Sequence, residues 1–277
     1  MRNSYSVYTF LFLNSKVNYD GGTTMPGIKL LSPQYFGRVM KIKKEINTNS
    51  KDILMDLGCG SGDHLLELNL PKDLTYMGID YSKKEIMKIR KLKNIFKKFH
   101  LIIADAQHLP FKSNSINVLI SSDVLEHVDD DRKAFSEMQR IMRHNSKAYI
   151  TVASSSYPIF YDPINYILEK SNRRPKKFGV WGWGHKRLYK KTDLNKILKT
   201  SGFENIEISF INHDISALAE NYIGYILMNS VFKNNNSENF KFLINLKYFT
   251  KTIYLLDSIL LKDKESGTSL FAAFDKR

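Results

Sequence analysis

The chain has 277 residues and a formal net charge of +14, from 42 Lys and Arg against 28 Asp and Glu. That length buries a full core, and 43% hydrophobic with 25% charged residues is the balance of a globular chain, not of a disordered or fibrous one. A single cysteine, Cys59, excludes a disulfide framework and a cysteine-based zinc cluster and fits a reducing, cytoplasmic interior. The positive excess fits a solvated lysine-rich surface or an anionic partner.

In chain order, Tyr5–Leu13 is apolar and follows Arg2, but the run is short and no small-residue cleavage site follows. Gly21-Gly22 ahead of Met25 reads as a translated purine-rich ribosome-binding sequence, so residues 1–24 are expected to be a non-native or flexible extension. Tyr35, Val39, Ile42 and Ile46 recur at helical spacing and predict an amphipathic helix over Pro33–Ile46. Ile53–Leu57 is a short apolar run with one acid, Asp56, the mark of a buried parallel strand. It ends in Gly58-Cys59-Gly60-Ser61-Gly62, after which His64–Leu68 has helix-forming composition. Strand, glycine turn and helix together would bring a ligand against bare backbone amides.

Leu74–Ile79 is a second strand ending at Asp80, and Ser82 can cap a helix through Phe96 with a lysine-dense outer face. His100–Ala104 and Ile116–Ser121 are the third and fourth strands. A helix over Arg132–Met142, led by Asp129, Asp130 and Asp131, precedes a fifth strand, Ala148–Val152. Strands separated by helices at this interval predict an α/β fold with a parallel sheet covered on both faces. Thr192–Thr200 is a helix ended by Gly202, and Phe203–Ile211 and Ser269–Ala273 are later strands. Between those two strands lies an apolar helical insertion, Asp214–Gly267, whose runs Tyr222–Met228 and Phe242–Leu261 are interrupted or too short to span a bilayer. It reads as a cap on the sheet, with a membrane-contacting surface as the second reading.

The glycine turn is not a dinucleotide fingerprint, whose third glycine would fall at Asp63, nor a P-loop, which needs Gly-Lys-Ser/Thr. It is D-x-G-x-G-x-G, from Asp56 through Gly58 and Gly60 to Gly62. Asp80 follows Asp56 by 24 residues, near the spacing at which a strand-end acid grips ribose hydroxyls. Asp105-Ala106 with Leu109-Pro110-Phe111, and Ser122 with Asp123-Val-Leu-Glu-His127, follow the next two strands.

This ordered set resembles the class I S-adenosylmethionine-dependent methyltransferases, in particular the small-molecule group (methyltransferase type 11) that includes enzymes modifying quinone precursors, lipids and sugars. The resemblance runs over Ile53–Val152 and more loosely over Gly184–Ile211, where Gly-His-Lys-Arg-Leu-Tyr also recurs in such members. It implies a Rossmann-like, doubly wound, mostly parallel seven-stranded sheet whose last strand is an antiparallel edge. The parts would be a core over 25–213, a helical cap over 214–267 and a closing edge strand over 268–277. It also implies S-adenosylmethionine as cofactor, held by Asp56, Gly58, Cys59, Gly60, Gly62, Asp80, Tyr81, Asp105, Ala106 and Ser122, with no metal.

Methyl transfer from a sulfonium asks mostly for alignment, and a general base only for a weakly acidic acceptor. His185, in the glycine- and aromatic-rich loop Phe178–His185, and His127 are the candidates, ahead of His108 and His213. The expected acceptor is a small molecule, lipid-like or amphiphilic, walled by Tyr222, Tyr225, Phe242, Tyr248 and Tyr254, with Lys247, Lys251 and Lys262 for an anionic head group. The competing readings are an RNA methyltransferase using Arg173-Arg174-Pro-Lys-Lys177 and a non-catalytic cofactor binder. The amino-directed nucleic-acid tetrad is absent, Ser122-Asp123-Val124-Leu125 standing in its place, and Cys59 is misplaced for cytosine chemistry.

Overall fold

The computed structural model describes residues 31–177, 179–223 and 238–277, with backbone only at 222–223 and 238–245. The expected extension over 1–24, Tyr225, and the Tyr222 and Phe242 side chains therefore lie outside the described parts.

Helix α1 spans Pro33–Glu45; of the expected stripe it buries Val39 and Ile42, while Tyr35 is half-buried, Phe36 is buried in its place and Ile46 falls just past the helix end. The strands are β1 (Ile53–Leu57), β2 (Thr75–Asp80), β3 (Lys98–Ile103), β4 (Ile116–Ser122), β5 (Met142–Ala153), β6 (Phe203–Ile211) and β7 (Ser269–Lys276). They form one sheet in the order β3-β2-β1-β4-β5-β7-β6. β1 pairs in parallel with both β2 and β4, so the crossover direction reverses at β1/β4. That reversal opens a crevice at the carboxyl ends of these strands.

Between β2 and β3, helix α2 (Lys83–Ile89) starts at Ser82, whose Oγ accepts from Glu85 N at 3.4 Å. Between β4 and β5, helix α3 (Asp131–Ile141) is capped by Asp130 and buries Ala134, Phe135, Met138 and Ile141. Later come α4 (Pro163–Lys170), α5 (Lys191–Thr200), α6 (Asp214–Leu218) and α7 (Glu238–Leu260).

Three expectations need correction. No full helix follows the glycine turn: only a 3-10 turn, Asp63–Leu66, fits before Asn69 (φ 52°) and Pro71 end it. Helix α2 stops well short of Phe96. That ring instead stacks on Tyr76, with centroids 5.1 Å apart and planes 2° from parallel, and adjoins Phe99. Strand β7 is antiparallel to β5, as expected, but it is not an edge; it lies between β5 and β6, and the edges are β3 and β6. Its buried Leu270, Phe271, Ala272 and Phe274 suit an interior strand.

The chain divides into two compact units. One, the sheet unit, comprises Arg38–Ser155, Lys186–Ser209 and Ser269–Arg277. The other comprises the described residues of 31–37, 156–185 and 210–268. The segment 156–185, placed in the core on sequence grounds, thus groups with the 214–267 insertion. In this second unit, Asp257 on α7 accepts from His213 N (2.8 Å) and Ser216 N (3.0 Å), capping α6 from another helix. No described helix is long and apolar enough to cross a membrane.

Candidate cofactor site

All the sequence-predicted cofactor residues belong to the sheet unit, at the carboxyl ends of β1, β2, β3 and β4. Asp56 is 3% exposed. Its Oδ2 accepts from Tyr76 Oη at 2.5 Å and lies 2.7 Å from His64 Nε2, so it clips β2 and the 3-10 turn to β1. Gly58 N and Cys59 N both donate to Ile79 O, at 2.7 and 2.9 Å. Gly58 (φ 76°), Gly60 (φ 52°) and Gly62 (φ 75°) all take left-handed backbone. A Cβ on Gly58 would stand 2.1 Å from Val124 Cγ2, so β1's turn and β4's following segment meet only because there is none.

Asp80 braces this turn. Its Oδ2 accepts from Gly60 N at 2.9 Å and its Oδ1 from Ser82 N at 2.7 Å. Each carboxylate oxygen keeps a second acceptor position. Tyr81, next in the chain, is 81% exposed. Cys59 is buried, and burial first, then the charges of Asp56 and Asp80, push its thiol far above the usual range. Burial would raise the Asp105 carboxyl, but the Gln107 backbone and side chain and His108 outweigh it and hold it low. Gln107 N and Nε2 lie 2.9 and 3.0 Å from Asp105 Oδ1. Ala106 beside it is buried.

After β4, Ser122 Oγ is 2.8 Å from Thr151 Oγ1, and Asp123 N donates to Thr151 O at 3.0 Å. Asp123 carries φ 55° and is paired with Arg38. Glu126 is fully buried: Oε1 accepts from Ala153 N at 3.0 Å, while Oε2 has no hydrogen-bond partner. Burial, then the charge of Asp123, pushes its carboxyl up to about 8. His127 is half-buried, its N–H donating to Val124 O at 2.9 Å.

A strap secures this post-β4 segment. Arg187 donates to three carbonyls, Leu125 O (3.0 Å), Val128 O (2.7 Å) and Asp129 O (2.7 Å). Lys186 N donates to Glu126 O at 2.8 Å, and Tyr189 Oη to Leu125 O and Asp131 Oδ2. The Lys186-Arg187-Leu188-Tyr189 part of the Gly-His-Lys-Arg-Leu-Tyr run therefore has a structural use inside the sheet unit. His185 belongs to the second unit, after the 3-10 turn Gly179–Trp183. Sequence reasoning missed Arg38, Glu126 and Thr151. Only Arg38's place on the polar side of an amphipathic helix was a usable signal.

Residues 55–150 match a family model described as a methyltransferase domain. An uncharacterized protein of Methanocaldococcus jannaschii is 32% identical over 128 residues, 42% of this chain and 52% of that one. A demethylmenaquinone methyltransferase of Oceanobacillus iheyensis is 23% identical over 188 residues, 63% of this chain and 79% of its own. The structure of a Haemonchus contortus phosphoethanolamine N-methyltransferase, with phosphomonomethylethanolamine and S-adenosylhomocysteine, superposes with a TM-score of 0.58. It is 18% identical and covers 86% of this chain and 52% of that one. The chain thus spans about half the length of the archaeal and nematode relatives. The glycine turn and the strand-end acids thus lie within the stretch that matches a methyltransferase domain, on a sheet whose fold is shared with the S-adenosylhomocysteine-bound methyltransferase.

Proposed function

We propose that this protein transfers a methyl group from S-adenosylmethionine to a small-molecule acceptor that is lipid-like or amphiphilic. It would act in the cytoplasm and contact a membrane surface peripherally. The observation that carries the reading is the Gly60–Asp80 brace at the β1/β4 crevice. A glycine turn with left-handed backbone is held open beside a carboxylate that retains acceptor capacity, which suits a nucleoside with a charged tail.

In this reading the Gly58–Gly62 backbone, with Cys59, lies against the cofactor's tail, and Asp56 holds that turn from below. Asp80 takes the ribose hydroxyls, Tyr81 covers the nucleoside, Asp105 and Ala106 meet adenine, and Ser122 faces the methionyl part. When bound, the cofactor supplies an already activated methyl group. The chain's residues have to align the acceptor and keep water out. His127 and His185 are the proposed bases for a hydroxyl acceptor.

For the acceptor, the insertion offers apolar surface: Tyr248, Leu255, Leu256, Ile259 and Leu260 of α7 are all exposed. The demethylmenaquinone and phosphoethanolamine relatives support a small acceptor over nucleic acid. The test is incubation with labelled S-adenosylmethionine and a panel of quinols, phospholipids, small amines and RNA. Label in an amphiphile is the expected result. Label in RNA alone, or cofactor binding without transfer to any acceptor, overturns the reading.

A further inference from the structure

Helix α4 turns its polar side inward and its apolar side out. Asp162, which caps it, is 3% exposed, and Asn165 is fully buried. Asp162 accepts from Asn165 N (3.2 Å) and Val180 N (3.0 Å). Asn165 accepts from Lys176 N at 2.6 Å and donates to Lys176 O at 3.1 Å. On the other side, Ile164 and Ile167, one turn apart, are 57% and 58% exposed, and Phe160 just ahead is 52% exposed. A helix on a soluble surface normally does the reverse. The inversion is fixed from within, because Asp162 and Asn165 hold the backbone of Val180 and Lys176 and cannot be turned to solvent without leaving buried groups unmet.

The residues after α4 are cationic. Lys170, Arg173, Arg174, Lys176 and Lys177 are exposed. The one acid between 163 and 177 is Glu169, whose Oε1 is taken by Trp181 Nε1 at 2.6 Å. An exposed aliphatic face beside a run of cations is the chemistry of an interfacial membrane segment.

We infer that α4 and the Lys170–Lys177 return form a docking surface for an anionic lipid bilayer. Phe160, Ile164 and Ile167 enter the headgroup boundary, and the cations meet lipid phosphates. A second copy of the chain fits this surface poorly, since a two-fold contact would face like charges. Single-stranded nucleic acid fits poorly as well, since bases need stacking planes and the centre of this face is aliphatic. The inference deepens the membrane contact proposed above by assigning its surface, and it uses no residue of the cofactor site.

The test is co-sedimentation of the full chain with vesicles of phosphatidylcholine alone, or with phosphatidylglycerol at about three to one, at low and high salt. Wild-type protein should partition onto the anionic vesicles and weaken as salt rises. Ile164→Ser with Ile167→Ser should lose about tenfold or more of that partitioning. Arg173→Glu with Arg174→Glu should lose at least as much. Both pairs replace exposed side chains, so S-adenosylmethionine binding by calorimetry should stay at the wild-type value. No partitioning by the wild type, or partitioning indifferent to the isoleucine pair, overturns the inference. So does light scattering that shows the isoleucine pair dissociating an oligomer, or RNA retention lost with the arginine pair where vesicles do not bind. Absent cofactor binding with intact vesicle binding would sink the methyl-transfer reading alone.

Discussion

Arg38 Nη2 stands 2.7 Å from Asp123 Oδ2, so a helix that precedes the sheet in sequence holds the residue directly after β4. Both side chains are less than a third exposed, and Asp123 holds a left-handed backbone that aspartate tolerates at some cost. Arg38→Ala would leave that carboxylate unpaired near buried Glu126. We expect a loss of about 1–2 kcal/mol in denaturant unfolding, with a weaker grip on the cofactor. Unchanged stability and affinity would remove Arg38 from the site's support.

Glu126 makes stability depend on pH. Its carboxyl ordinarily titrates near 4.5 and is raised to about 8 in the folded chain, by burial and then by Asp123. The folded state therefore binds the extra proton across that window, and stability falls as pH rises through it. The neutral Glu126→Gln variant should lack this decline. Melting curves of the two proteins should converge near pH ~5 and separate toward pH ~8. Parallel curves would contradict the assignment.

Asp80 serves two ends, which a pair of substitutions can separate. Asp80→Asn keeps an acceptor for one of the two backbone amides while losing the charge that would face the ribose. It should weaken S-adenosylmethionine by about tenfold to a hundredfold with little change in melting. Asp80→Ala also releases the Gly60 and Ser82 amides and should lower the melting temperature as well. Wild-type affinity in a folded Asp80→Asn protein would refute the ribose contact.

Gly58→Ala should destabilise by about 2–4 kcal/mol, from the positive φ and from overlap with Val124. Adding Val124→Ala relieves only the overlap. The double variant should therefore recover part of the loss and keep about 1 kcal/mol of backbone strain. An uncorrected double variant would place the conflict elsewhere.

The strands were legible because parallel, doubly covered strands read as mostly apolar runs, and Ile53–Leu57, broken only by Asp56, and Ile116–Ile120, broken only by Asn117, are such runs. Ser82 and Gly202 marked helix ends by local chemistry that acts within a few residues. What could not be read was decided at long range. Phe96 fits a helical pattern yet leaves the helix for Tyr76, twenty residues earlier. Ile164 and Ile167 have the spacing of a buried stripe, and only the Asp162–Asn165 network shows which side turns in. Glu126 stood in the block Asp123–His127 with no role of its own, since burial of a carboxyl has no sequence signature. The strand-end acids were visible as residues, but that Asp80 also fixes the glycine turn is a matter of geometry.

Strand β7's interior place sets an order of events during synthesis. Residues 212–268 are made after β6 and before β7, yet β7 is what stands between β6 and β5. A ribosome-bound chain that has emerged only through residue 268 therefore presents β5 and β6 with unsatisfied neighbouring edges, two templates for mispairing. Closing the sheet means admitting a strand between two already made, against the direction of β5, at the end of a long connection. A nascent chain stalled at that point is where chaperone protection would matter most.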